Sequence, residues 1–144
     1  MKKIIIIFIF AIGFISCSSN DDTKIDNSDL IGKWNWISTD GGLAFHIHET
    51  PNSTGNIFQL SFMKNYLYSI AKNGNEFSSG KYELVMKKSI YSGKMERFII
   101  CTETQNQQLQ NVTISGIIKV YDTNKLDISD NNYDGIGSGF VKTE

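Results

Sequence analysis

Arginine is almost missing from this chain: Arg97 is the only one among 144 residues, and basic and acidic side chains nearly balance at 14 to 15. No basic patch is left to attract a nucleic acid. Proline occurs once, at Pro51, and histidine twice. There is no apolar run of roughly 20 residues, the length a helix needs to cross a bilayer core. No Gly-x-Ser-x-Gly elbow and no glycine loop opening a helix is present, so two common nucleophile and phosphate signatures are excluded. No stretch carries a helical period, and no internal repeat is visible. With no acid–base or nucleophile pair in view, the chain is read as a non-enzyme, and no cofactor is expected.

What is present begins at the N-terminus. Lys2 and Lys3 precede an uncharged, mostly apolar run over 4–15, then Ser16 and Cys17, then the polar "SSNDD". A positive n-region, a short apolar h-region and a small residue form a secretory signal. "FISC" resembles the lipobox of bacterial lipoproteins, with Phe14 where Leu or Val is usual. The resemblance implies cleavage after Ser16 and a lipid on Cys17, anchored by two or three acyl chains. It also implies attachment to the outer membrane, and the run after the cysteine looks like an acidic surface-export tag. With Cys17 acylated, Cys101 has no intrachain disulfide partner. The expected organisation is a signal peptide over 1–16, a lipidated cysteine and flexible tether over 17–28, and one domain over 29–144.

The domain reads as strands almost throughout: 30–38, 43–49, 57–63, 66–71, 80–86, 96–102, 111–122, 125–130 and 136–142. In 57–63, Phe58, Leu60 and Phe62 alternate with Gln59 and Ser61, the period of a half-buried strand. "KNGN" over 72–75 marks a hairpin, because Asn-Gly accepts positive φ. Taking 43–49 as an extension of the first strand gives an all-β, eight-stranded, antiparallel up-and-down barrel without substantial helix. A sandwich would need longer crossing connections.

"LIGKWNWIS" resembles the Gly-x-Trp first-strand signature of the lipocalins, with Gly32 and Trp34 in the two key positions. The wider stretch over 30–142 is similar to the lipocalin-like lipoproteins of Bacteroidetes. This resemblance implies a calycin-type barrel with Trp34 plugging one end. The arginine that usually stacks on that tryptophan is absent, and Lys142 is the nearest substitute, able to make a weaker cation–π contact. The C-terminal helix usual in lipocalins is also missing.

Three constellations touch on chemistry. His46 and His48, with Glu49 beside them, have a spacing that can share a zinc or copper ion, but further ligands cannot be named. Asp130, Asn132, Asp134 and Gly135 match the first half of a calcium loop, although its closing Glu would fall on Val141, so a β-turn fits better. Cys101 reads as a small buried hydrophobe. Metal and catalytic residues are therefore set at none. Gly135, Gly137 and Gly139 suggest close backbone approach or a bulge.

The strand aromatics Trp36, Phe58, Phe62, Tyr66, Tyr68 and Tyr82 are the ligand-binding candidates, suited to a cavity for a small apolar or amphipathic molecule. A barrel of this size can equally fill its interior with side chains. The alternative function is a structural or interaction lipoprotein, an uptake accessory or inhibitor, working through loops 50–56 and 103–110. The membrane through the lipid anchor and a small hydrophobic ligand are the expected partners; no protein partner is identified.

Overall fold

A computed structural model describes residues 24–103, 109 and 111–143. The signal peptide, Ser16, Cys17 and the first part of the tether lie outside the described residues, as does most of loop 103–110.

The described residues form nine strands: β1 (Gly32–Gly41), β2 (Ile47–Glu49), β3 (Phe58–Phe62), β4 (Leu67–Lys72), β5 (Asn75–Lys88), β6 (Met95–Glu103), β7 (Gly116–Tyr121), β8 (Lys125–Ser129) and β9 (Ile136–Lys142). From β3 to β9 each strand pairs antiparallel with the next, and β1 pairs with both β3 and β9. The result is a closed, eight-stranded antiparallel barrel with β2 added to one rim, consistent with a lipocalin-like barrel. Closure leaves eight strands without a continuous free edge, which limits edge-to-edge aggregation.

The alternation expected from the sequence is what fills the interior. Phe58, Leu60 and Phe62 are buried while Gln59 and Ser61 are half-buried. Trp34 and Trp36 point inward from β1. A bulge between Trp36 and Ser38 then shifts the phase by one residue, so Thr39 rather than Ser38 is the next side chain to face inward; a bulge inserts an extra residue and re-aims the side chains that follow. Trp36, Phe58, Phe62, Tyr68 and Tyr82 belong to one continuous core with Leu60, Ile99, Leu126 and Phe140.

Four expectations are corrected. Segment 43–49 does not extend β1. Gly42 at φ 75° turns the chain into a short 3-10 turn at Leu43–Phe45, and β2 folds back on β1 with Thr39 opposite Glu49. Loop 50–56 contains a one-turn helix, α1 (Pro51–Thr54), whose capping box joins Thr50 and Ser53; Pro51 sits where a helix tolerates proline. Strand β7 starts at Gly116 rather than residue 111, and β5 starts at Asn75 rather than residue 80.

The fourth correction concerns the tether. Its described part, residues 24–28, packs on the barrel. Asn27 is buried and donates from Nδ2 to Tyr82 Oη at 2.6 Å. Tyr66 Oη donates to Ile25 O at 2.9 Å. The polar composition suggested a solvated segment, but an amide can be buried once its partners are in place. The lone arginine reinforces this contact: Arg97 forks onto Asp29 at 3.1 and 2.6 Å.

The β5–β6 hairpin runs past the end of β4 and bends over the outside. Its tip is tied to the β8–β9 loop, where Asn131 Oδ1 accepts from Ile90 N–H at 2.9 Å and Asn131 Nδ2 donates to Lys88 O. Since β7 lies between β6 and β8, the tip crosses the outer face of β7. That crossing explains why Phe98 and its register partner Ile117 are buried although neither belongs to the interior core.

Candidate functional site

The two ends of the barrel are stopped by different means. At the base, where β1 begins, Leu30 lies fully buried and its carbonyl accepts from Trp34 Nε1 at 2.7 Å. Lys142 Nζ stands 5.0 Å from the Trp34 ring centroid. The cation expected over this ring is therefore present, supplied by lysine in place of arginine. Phe62, Tyr66 and Tyr82 close the same end, with Phe62 and Tyr82 edge to face at 5.0 Å.

Tyr82 carries a pH consequence. Burial raises its hydroxyl above the ordinary tyrosine value of 10.0, against a lowering by the Asn27 hydrogen bond. The folded state thus favours neutral Tyr82, and its contribution is fully present below pH 10 and lost as pH rises through the raised folded value. Stability measured by denaturant titration between pH 9 and 11 is expected to fall more steeply for the parent than for Tyr82→Phe. Parallel slopes would contradict this.

At the opposite end, the mouth, an open pocket of about 460 Å³ is lined by Trp36, Phe58, Glu49, Thr54, Asn56 and Asn111. Each wall has a local cause. Trp36, midway along β1, and Phe58, the first residue of β3, meet edge to face at 5.7 Å just beyond the last β1–β3 pair. The hairpin return of β2 brings Glu49 to the rim, and the capped turn of α1 places Thr54 and, just beyond it, Asn56. Asn111, at φ 54°, donates from Nδ2 to Glu49 Oε1 at 2.6 Å. The pocket thus joins an aromatic floor to a rim of amides, one hydroxyl and one carboxylate.

Below this rim the segment 111–115 turns into the barrel. Val112 and Ile114 are buried in the interior core with Trp36 and Phe58. Thr113 N–H donates to Ser138 Oγ at 2.8 Å, and Ser138 bonds Thr39, which accepts from Trp36 Nε1 at 3.0 Å.

The candidate aromatics fall into two groups. Trp36 and Phe58 reach the mouth. Phe62, Tyr66 and Tyr82 sit at the base, and Tyr68 is fully buried, its ring edge lying beneath Gly80. An outer groove of about 620 Å³ includes Tyr68, Leu67 and Gly80 in its wall. A base groove of about 750 Å³ runs along residues 81–86, with Ile25 and Tyr66 opposite.

The two histidines part company. His46 Nδ1 bonds Leu43 O, whereas His48 Nδ1 pairs with Asp40, whose carboxyl is held below its ordinary value by that hydrogen bond. Both rings are exposed. Among the described residues, no group of three His, Cys, Asp or Glu side chains converges as a metal site. Loop 130–135 is a closed turn: Gly135 N–H donates to Asn132 O, and Asp130 N–H to Ile136 O. Gly135 meets the close approach expected of it, since a Cβ there would lie 2.7 Å from Asp130 Cβ. Gly139 lies opposite the β1 bulge, where an added Cβ would stand 3.4 Å from Ile37 Cγ1, and one at Gly137 would stand 3.3 Å from Ser129 Cβ. Cys101 is half-buried in β6, with Sγ 3.2 Å from Ile114 O.

The sequence reading missed Thr54, Asn56 and Asn111, and met Glu49 only as a neighbour of the histidines. The single local signal was that 50–56 is a capped polar turn; Glu49 and Asn111 are 62 positions apart. No protein-family model, curated protein or solved structure matches this chain.

Proposed function

We propose that the protein is a lipid-tethered, non-enzymatic binding module that takes a small amphipathic molecule at the mouth of its barrel. The observation that carries this reading is the mouth pocket itself, an aromatic floor under convergent polar groups, the usual composition of a small-ligand site. The floor suits an apolar ring or chain, and Glu49, Asn56 and Asn111 suit a hydrogen-bonding end. The anchor fits the same geometry. The chain enters the barrel at the base, so a lipid on Cys17, seven residues before Lys24, would attach on the side of the barrel opposite the mouth. Those seven residues span at most about 25 Å. Outer-membrane attachment follows from the lipobox resemblance of "FISC".

The test blocks the mouth without touching the core. The chain from Lys24 on is incubated with a total envelope lipid extract, repurified and weighed by native mass spectrometry. An added mass is expected on the parent and not on Asn56→Trp, which places an indole in the pocket from a half-buried rim position. The variant should melt within about 3 °C of the parent, as substitutions away from core and caps usually do. An equal added mass on both proteins would remove the mouth as the site.

A second reading has its own observation. Phe45 is 88 % exposed and Leu43 66 %, both on the turn at the mouth end. Two large apolar side chains held in water suit a protein partner, the role expected of an interaction lipoprotein. Alanine at both positions would abolish such a contact and leave ligand binding at the mouth intact.

A further inference from the structure

We infer that the strap 111–115 is a displaceable plug, and that its withdrawal opens an apolar binding cavity inside the upper half of the barrel. The inference rests on the mouth reading above and extends that site inward.

Four features carry it. First, the strap occupies interior space with side chains that belong to no strand: Val112 and Ile114 enter the core while β7 begins only at Gly116. Second, the seam beside it is short. Among the described residues, β6 and β7 pair in register through Phe98–Ile117 and Ile99–Gly116, against nine register pairs between β5 and β6. Third, side-chain hydroxyls tie the strap to its neighbours. The Cys101 N–H donates to Ser115 Oγ at 2.9 Å, and Thr113 N–H to Ser138 Oγ. Such bonds can be exchanged for water one at a time, whereas a ladder opens cooperatively. Fourth, the strap is bounded by two residues at positive φ, Asn111 at 54° and Gly116 at 143°.

The strap therefore stands where a ligand of the barrel would stand. Its two branched apolar side chains define the chemistry of what replaces them: an uncharged aliphatic or aromatic group about the size of Val and Ile side chains together. The polar end of the same molecule would remain at Glu49 and Asn111. A ligand that pulls Asn111 from Glu49 loosens the strap's outermost bond, so rim binding and strap release are coupled.

The test uses residues 24–144 and the neutral dye N-phenyl-1-naphthylamine, followed by its fluorescence. Val112→Ala with Ile114→Ala empties the plug and should bind the dye at least tenfold more tightly than the parent. Ile114→Ala alone serves if the double variant does not melt cooperatively. Ser115→Cys places a second thiol beside Cys101; once oxidised, it should bind at least tenfold more weakly, with reductant restoring the parent value. Thr113→Cys with Ser138→Cys provides the lock if those thiols do not join. A folded, emptied variant that binds no tighter, or a locked strap that binds like the parent, overturns the plug. Dye binding that Asn56→Trp blocks but the emptied variant does not improve leaves the mouth standing and the plug refuted. Binding by the emptied variant and not by the parent does the reverse.

Discussion

Trp34→Ala lowers the stability of the barrel by about 3–5 kcal/mol, the range seen when a buried aromatic is truncated. Three losses combine at this position. The indole is completely buried, so its removal leaves a void under β1 and β9. Its Nε1 is the donor to Leu30 O, and that buried carbonyl is left without it. Lys142 loses the ring face above which its ammonium stands. At about 4 °C per kcal/mol for a domain of this size, the melting temperature falls by roughly 12–20 °C. Trp34→Phe keeps most of the ring and loses the hydrogen bond, and should cost about 1–2 kcal/mol. Thermal and urea unfolding of the parent and both variants check this. A loss under 2 kcal/mol for alanine would mean that the base is not sealed through this residue.

Gly116→Ala is the second large effect, and its cause is backbone rather than packing. Gly116 sits at φ 143°, where side-chain-bearing residues rarely go, and a Cβ there would lie 2.2 Å from Ser129 O. Neither side can yield: Gly116 is paired to Ile99 on one flank, and Ser129 to Ile117 on the other. Relief of the clash needs β7 to move away from β8, to which five register pairs hold it, and a cost of about 3 kcal/mol or more is expected. Gly74→Ala is the control. Gly74 also has positive φ, 82°, but nothing lies within 4 Å of the added atom, so only conformational strain of about 1 kcal/mol remains. Urea titrations of both, with amide exchange at Ile99 and Ile117, separate the two causes. Equal costs at Gly74 and Gly116 would show that the contact with Ser129 does not matter.

The strands were legible where one residue's neighbours settle its face. Phe58–Phe62 alternates cleanly, and the Asn73-Gly74 turn sets β4 against β5 with Lys72 opposite Asn75. The barrel followed because short turns link successive strands. Legibility stopped wherever a distant partner decides. "NVTIS" alternates like any strand, yet Thr113 and Ser115 bond Ser138 and Cys101 and draw the segment inward. "AFHIH" also alternates, but the glycine pair at 41 and 42 reverses the chain before it. Residues 24–28 look solvated until Tyr66 and Tyr82 are placed beside them. The site was half legible for the same reason: aromatics announce themselves by type, so Trp36 and Phe58 were named. Asn111 and Glu49 become rim residues only through a contact across the closed barrel.

The position of β1 has a mechanical consequence. It is the strand that the N-terminus enters, and it is laddered on both flanks, to β3 and to β9, each antiparallel to it. A pull transmitted through the N-terminus therefore acts along β1, sliding it against both neighbours so that many hydrogen bonds carry the load together. A pull that peeled β1 sideways would break them one by one. The Arg97–Asp29 fork and the Trp34–Leu30 bond lie on the path of that force, ahead of the ladders. Load applied at the N-terminal end meets the barrel in its strongest direction, while the weak seam between β6 and β7 lies outside the line of pull.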